Sequence, residues 1–322
     1  MLPCVPYKII TCLCVCFVLT GLLLWGPGGV LQPQAQAVTV IIPPKTGLVA
    51  VAKQLKQDGA LTATWPFIVA QKLYYPQRPL KAGEYAITAQ ARPLDIIRQM
   101  RSGRTVIRQM TFPEGYTVRQ ILQAIEENQA LTGHIKDVPE EGTLLPETYY
   151  YSYGDSRQGM LMRMKKAMDE TVQELWQQRS EDLLINTPQD MVILASIVEK
   201  ETGMATERPE IAAVYLNRIK IGMRLQADPT VVYALTGGNR DLGRPLTYDD
   251  LKKPSPYNTY VAQGLPPGPI ACPGKASLQA VVRPKKIEAL YFVANGTGGH
   301  TFSQTFHEHK KNVKLWRQMK KP

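Results

Sequence analysis

The sequence predicts an α+β fold in two parts, a small unit and a larger mixed one, behind a single N-terminal transmembrane helix. Three observations predict it. Ile9 to Trp25 carries no charge. Beyond it, apolar stripes at helical spacing alternate with short runs rich in β-branched residues. Glycine- and proline-rich stretches separate these segments. A chain of 322 residues, 44% hydrophobic and 20% charged, is globular rather than disordered, and its length suggests about two domains.

With Gly26 to Leu31 added, the uncharged stretch reaches the ~20 residues that cross a bilayer core. We therefore read residues 9–31 as an uncleaved anchor. Ala35-Gln36-Ala37 resembles a signal-peptidase site but lies ten residues beyond Trp25, too far for a cleaved leader. Lys8 is the basic residue beside the segment and keeps residues 1–8 in the cytoplasm, so the rest is exported from a single-pass position in the cytoplasmic membrane. Cys4, Cys12, Cys14 and Cys16 lie in or beside the anchor, which leaves Cys272 without a disulfide partner in the exported part. The net charge of +11 favours an anionic membrane or wall polymer, or general solubility; nucleic acid is excluded by compartment and by the lack of a binding signature.

Residues 32–38 form a linker. Val38 to Ile42 reads as a strand, and Leu48, Val51, Ala52 and Leu55 mark a helix closed by Gly59. A second helix begins near Pro66, Gly83 to Thr88 is a strand, and Leu94, Ile97 and Met100 mark a helix stopped by Gly103. Residues 39–111 are thus β-α-α-β-like with an extra helix. Residues 112–322 form the second part. Thr117 caps a helix bearing Val118, Ile121, Leu122 and Ile125, and a methionine-rich stripe from Leu161 to Leu175 is core packing. Thr187, Pro188 and Asp190 start a helix that runs through Met191 to Thr202 and is apolar nearly all round, hence buried. Further helices start near Pro209 and at Asp228-Pro229. The proline-rich stretch Pro254 to Pro273 is a binding-loop candidate, and Leu290 to Ala294 pairs with His300 to Phe302 through the turn Asn295 to Gly299.

Glu199 and Glu201 are carboxylates on that apolar helix. Burial of an unpaired carboxylate raises its pKa, which suits a general acid; a buried ion pair with Lys200 or Arg218 is the alternative. Residues i and i+2 point about 200° apart on a helix, so the two cannot converge on one bond as a glycosidase pair does. The pattern does not say which is catalytic. His307 and His309, flanking Glu308, read as solvated. Neither a H-E-x-x-H metal motif, a nucleophile elbow nor a phosphate loop is present, and no cofactor or metal is expected.

Ala195-Ser196-Ile197-Val198-Glu199-Lys200-Glu201-Thr202, Tyr215-Leu216-Asn217-Arg218 and Arg224-Leu225-Gln226-Ala227-Asp228-Pro229-Thr230-Val231 resemble the MltG-type endolytic murein transglycosylases, the YceG-like family. Tyr257-Asn258-Thr259-Tyr260, Gly264 to Ile270 and Gly298-Gly299-His300-Thr301-Phe302 are similar to the same family. The resemblance spans nearly the whole chain. It implies a LysM-like domain over 39–111, a catalytic domain over 112–322, and peptidoglycan glycan strands as substrate. It further implies Glu199 as the catalytic acid/base and the enzymes that polymerise new glycan as partners. A lytic transglycosylase needs one acid, because the sugar's own C6 hydroxyl replaces water and closes a 1,6-anhydromuramyl ring. Gln226, Tyr257, Asn258 and Thr259 are the candidates for sugar contact. A hydrolytic muramidase and a non-catalytic wall-binding scaffold are the rival readings.

Overall fold

The structure, a computed structural model, describes residues 37–89, 91–239 and 241–319. The anchor expected at 9–31 lies outside these residues; among the described residues no helix is long and apolar enough to cross a membrane. The architecture is mixed α+β and divides into two compact units. The smaller comprises residues up to 109 with 130–132 and 150–155, and the larger comprises the remainder.

In the smaller unit, β1 (Val38–Ile42) and β2 (Gly83–Ile87) pair antiparallel, with Val40 opposite Tyr85 and Ile42 opposite Gly83. Between them run α1 (Leu48–Gln57) and α2 (Trp65–Tyr74), and α3 (Pro93–Ser102) follows. This is the expected element order. Val51, Ala52 and Leu55 of α1, Phe67 of α2, and Ile96, Ile97 and Met100 of α3 close over Val40, Ile42, Tyr85 and Ile87 in one apolar core. The hydroxyl of Tyr85 donates to Lys81 O at 2.7 Å, so the buried ring leaves no polar atom unpaired. Glu84, also buried, accepts both prongs of Arg108 at 2.6 and 2.9 Å.

The larger unit contains α4 (Val118–Glu127), the 21-residue α5 (Arg157–Gln177), α6 (Pro188–Glu201), α7 (Arg208–Lys220), α8 (Asp228–Thr236), α9 (Tyr248–Lys252) and α10 (Lys275–Val282). The hairpin β5 (Tyr291–Ala294) and β6 (His300–Ser303) and the exposed helix α11 (Phe306–Met319) complete it. Between α3 and α5 lie two further short strands, β3 (Arg108–Thr111) and β4 (Thr148–Tyr151), which also pair.

Helix α6 is the axis of the unit. Thr187 Oγ1 accepts the Asp190 N–H at 3.1 Å, and the Asp190 carboxylate accepts the Thr187 N–H at 3.1 Å, a reciprocal cap on the first turn. Every residue from Met191 to Val198 is buried, against α5, α7, α8 and α10. The cap fixes where the helix begins, and the buried midsection fixes its rotation, so the two glutamates of the last turn are placed without freedom to rotate. Thr187→Ala is expected to cost about 1 kcal/mol, measurable as a lowered denaturation midpoint with an unchanged denaturant slope.

Candidate functional site

The last turn of α6 sends its two carboxylates to different surroundings. Glu199 is 4% exposed at its side chain and its oxygens are both engaged. Oε1 accepts from the Arg208 guanidinium at 2.8 Å, and Oε2 accepts the Gly274 N–H at 2.9 Å. The same Arg208 nitrogen donates to Glu114 at 2.8 Å, so one buried cation ties two carboxylates together. The ion-pair partner is therefore Arg208 on the next helix and neither Lys200 nor Arg218, as the sequence suggested. Lys200 Nζ donates to Gly115 O at 3.4 Å, and Arg218 donates to the carbonyls of Leu225 and Leu290. Gly274 is required here for space: a Cβ would stand 1.8 Å from Glu114 Oε1.

Glu201 has a single neutral donor. The Tyr215 hydroxyl reaches its Oε1 at 2.6 Å, and among the described residues it has no ion-pair partner. Burial pushes its carboxyl up to about 7, and the charge of Asp228 adds to the rise, against the lowering by Tyr215, His300 and Arg218. Burial, with the neighbouring Glu201, holds the Tyr215 phenol well above its ordinary range as well.

Glu201 opens on a cavity of about 270 Å³ whose other walls include Gln226, Asp228, Tyr260, Tyr291 and His309. It also borders a second hollow of about 350 Å³ that holds Glu114, Glu199 and Arg208. The Tyr260 hydroxyl donates to Asp228 at 2.6 Å, and the guanidinium of Arg218 lies 5.5 Å from the Tyr291 ring centroid. Aromatic faces beside fixed polar groups suit a pyranose ring, which offers C–H faces and equatorial hydroxyls together.

Of the sequence-predicted sugar contacts, Gln226 lines this cavity and does so from a left-handed backbone, φ 49°. A non-glycine residue held there costs on the order of 1 kcal/mol and marks a position fixed by its surroundings. Asn258 and Thr259 are different. Both are wholly buried. Asn258 donates to the carbonyls of Leu251 and Lys253, while Thr259 Oγ1 accepts the Ala227 N–H and bonds Thr230. Neither side chain is exposed to a ligand in this structure, and both hold the loop that positions Gln226, whose N–H donates to Thr259 O at 3.1 Å. Tyr257 packs its ring 4.9 Å from that of Tyr233 and is not among the residues lining the Glu201 cavity.

The sequence reading missed several groups. His309 is half-buried against Tyr291, ring centroids 5.2 Å apart, rather than solvated, and burial lowers its imidazole below the usual range. Glu207 accepts the His300 N–H and contacts His300 Nδ1, both at 2.7 Å, which ties the β5–β6 hairpin to the start of α7. A Cβ on Gly299 would meet Glu207 at 2.4 Å, so this glycine permits the approach. Gly299 and His300 lie in the motif at 298–302, while Glu207 and His309 lie in none of the motifs.

Residues 40–315 match the YceG-like family. The chain belongs to the YceG-like family. A Bacillus subtilis protein named endolytic murein transglycosylase is 30% identical over 307 residues, 85% of this chain and 83% of that protein. A Streptococcus pneumoniae protein of the same name is 28% identical over 322 residues, 86% of this chain; the YceG-like chain spans only 58% of its length. The crystal structure of a yceG-like protein from Listeria monocytogenes superimposes with a TM-score of 0.53 at 31% identity, covering 86% of this chain and 99% of that one.

Proposed function

We propose that this YceG-like chain is an endolytic peptidoglycan lytic transglycosylase, cutting the MurNAc–GlcNAc bond within nascent strands and leaving a 1,6-anhydromuramyl end. The relatives' shared name supports the reaction class. The observation that carries the chemistry is geometric: the last turn of α6 sets Glu201, its carboxyl raised by burial, at the wall of a polar, aromatic cavity and Glu199 in the adjoining hollow. A carboxyl that is substantially protonated near neutrality donates its proton to the glycosidic oxygen as the C1–O bond breaks. The carboxylate left behind takes the proton of the C6 hydroxyl as that oxygen closes onto C1. The attacking group belongs to the substrate, so a second carboxylate that activates water is unnecessary.

The two glutamates thereby acquire distinct roles. The resemblance assigns the proton to Glu199, whose oxygens accept from Arg208 and Gly274; Glu201, beside the aromatic cavity with one neutral donor, is the second candidate, and variants of the two tell them apart. In either case Glu199 also holds α6, α7 and the loop before α10 together. Mass spectrometry of fragments from uncrosslinked strands tests the reaction class. Anhydro ends are expected. Reducing muramic ends would make the chain a hydrolytic muramidase, and intact strands a wall-binding scaffold.

The same reading places the chain in the cytoplasmic membrane through residues 9–31, with 37–319 outside. It takes the smaller unit as LysM-like and glycan-binding, and the enzymes that polymerise glycan as partners. The uncharged segment behind Lys8 supports the anchor. A reporter fused after Pro322 is expected to work outside the cytoplasm, and activity confined to the cytoplasm would reverse the orientation.

A further inference from the structure

The smaller unit carries charge out of proportion to its size. Residues 37–109 hold eleven Lys and Arg against three Asp and Glu, a net +8 of the chain's +11; Lys8 adds one and residues 110–322 only two. Its three acids are engaged within the unit: Glu84 pairs with Arg108, Asp95 with Arg92 and Arg98, and Asp58 accepts from the Gln54 side chain. Lys72, Arg78, Lys81 and Arg101 have no acidic partner among the described residues. These four gather about the C-terminal end of α2. Lys72 is in its last turn, Arg78 and Lys81 follow in the chain, and the Arg101 guanidinium lies 3.7 Å from the ring centroid of Tyr75.

Helix α2 is also built in reverse on its outer side. Phe67 and Gln71 face the core, while Trp65, Val69 and Leu73, spaced by four, stand 47%, 51% and 70% exposed. Lys72 lies along the same stripe. An exposed row of Trp, Val and Leu edged by cations is the composition of a helix that lies in a membrane interface. A sugar-binding face would need polar donors and acceptors along this stripe, and Trp65, Val69 and Leu73 offer only the indole N–H. The tether reaches. If the anchor ends at Leu31, six residues precede Val38, at most about 21 Å of extended chain.

We propose that the outer face of α2, with Lys72, Arg78, Lys81 and Arg101, docks on the anionic lipid headgroups of the membrane that holds the anchor. The indole and the aliphatic side chains enter the interface while the cations stay among phosphates. The short tether raises the effective lipid concentration, so individually weak contacts suffice. The proposal rests on the anchor reading for its tether, and the test separates the two.

The full chain is placed in vesicles of phosphatidylcholine, with or without phosphatidylglycerol, after Trp25, Trp176 and Trp316 are changed to Phe so that Trp65 alone fluoresces. Lipids brominated near the headgroup are expected to quench Trp65 roughly twofold in the anionic vesicles, less in neutral ones. Val69→Asp with Leu73→Asp, at positions already exposed, is expected to abolish the quenching while circular dichroism stays unchanged. A chain that survives an alkaline wash but shows Trp65 open to acrylamide and untouched by bromolipid overturns the docking and leaves the anchor standing. A chain removed by the wash, yet quenched beforehand on anionic vesicles, upholds the docking and overturns the anchor. Protection of Trp65 by soluble glycan strands without bromolipid quenching assigns the face to sugar and overturns the proposal.

Discussion

Glu201→Gln is expected to lower turnover on uncrosslinked glycan strands by about 10² to 10⁴, the usual worth of a general acid/base. Glutamine keeps the size and can still accept the Tyr215 hydroxyl, so the loss is chemical rather than architectural. The pH dependence follows from the raised carboxyl. Cleavage begins with protonated Glu201, so kcat/KM is expected to fall as pH rises through about 7. Stability falls in the same direction. The folded pKa lies above the ordinary carboxylate value, so the neutral form's contribution is complete below about pH 4.5 and is lost as pH rises toward 7. Glu201→Gln escapes that loss and is expected to gain on wild type over this window, by on the order of 3 kcal/mol above pH 7. Denaturation midpoints at pH 5 and pH 8 check it. If instead Glu199→Gln abolishes anhydromuramyl ends with its fold intact while Glu201→Gln retains them, the proton belongs to Glu199 as the resemblance implied.

The elements and the site were legible to different depths. Helix spacing and caps located α1, α4 and α6 because an apolar stripe and a Thr or Gly terminus act locally, over one or two turns. The pair β3–β4 escaped notice because strands of four residues carry too few alternations to register. Helix α10, eight residues behind Gly274, is apolar on most sides and reads as neither period, yet it packs closely on α6 and α7. The angular argument that Glu199 and Glu201 diverge was sound, since it needs only the helical repeat. What each would face was not legible. Arg208 sits nine residues past Glu199 on another helix, and Gly274 seventy-five residues on. Asn258 and Thr259 looked like sugar contacts because polar loop residues usually reach solvent; here the loop folds inward and uses them to satisfy its own backbone.

Arg208→Met is expected to be the most destabilising single change at the site. The guanidinium is 9% exposed and its removal strands Glu199, itself 4% exposed, with only the Gly274 N–H. Glu114, at 39% exposure, can turn to water, so the penalty falls mainly on Glu199. Removing one partner of a buried ion pair costs about 3–5 kcal/mol, because the remaining charge is neither solvated nor paired. Met fills similar volume, which keeps a cavity from adding to the loss. The double variant Glu199→Gln with Arg208→Met removes the orphaned charge and is expected to recover most of the stability, a coupling that urea denaturation of the single and double variants reads directly. Equal instability in the single and double variants would mean that Arg208 acts through packing and not through Glu199. Recovery of stability without recovery of strand cleavage, with Glu199→Gln alone still active, would show that the ion pair also sets the position of the last turn of α6, and with it the aim of Glu201.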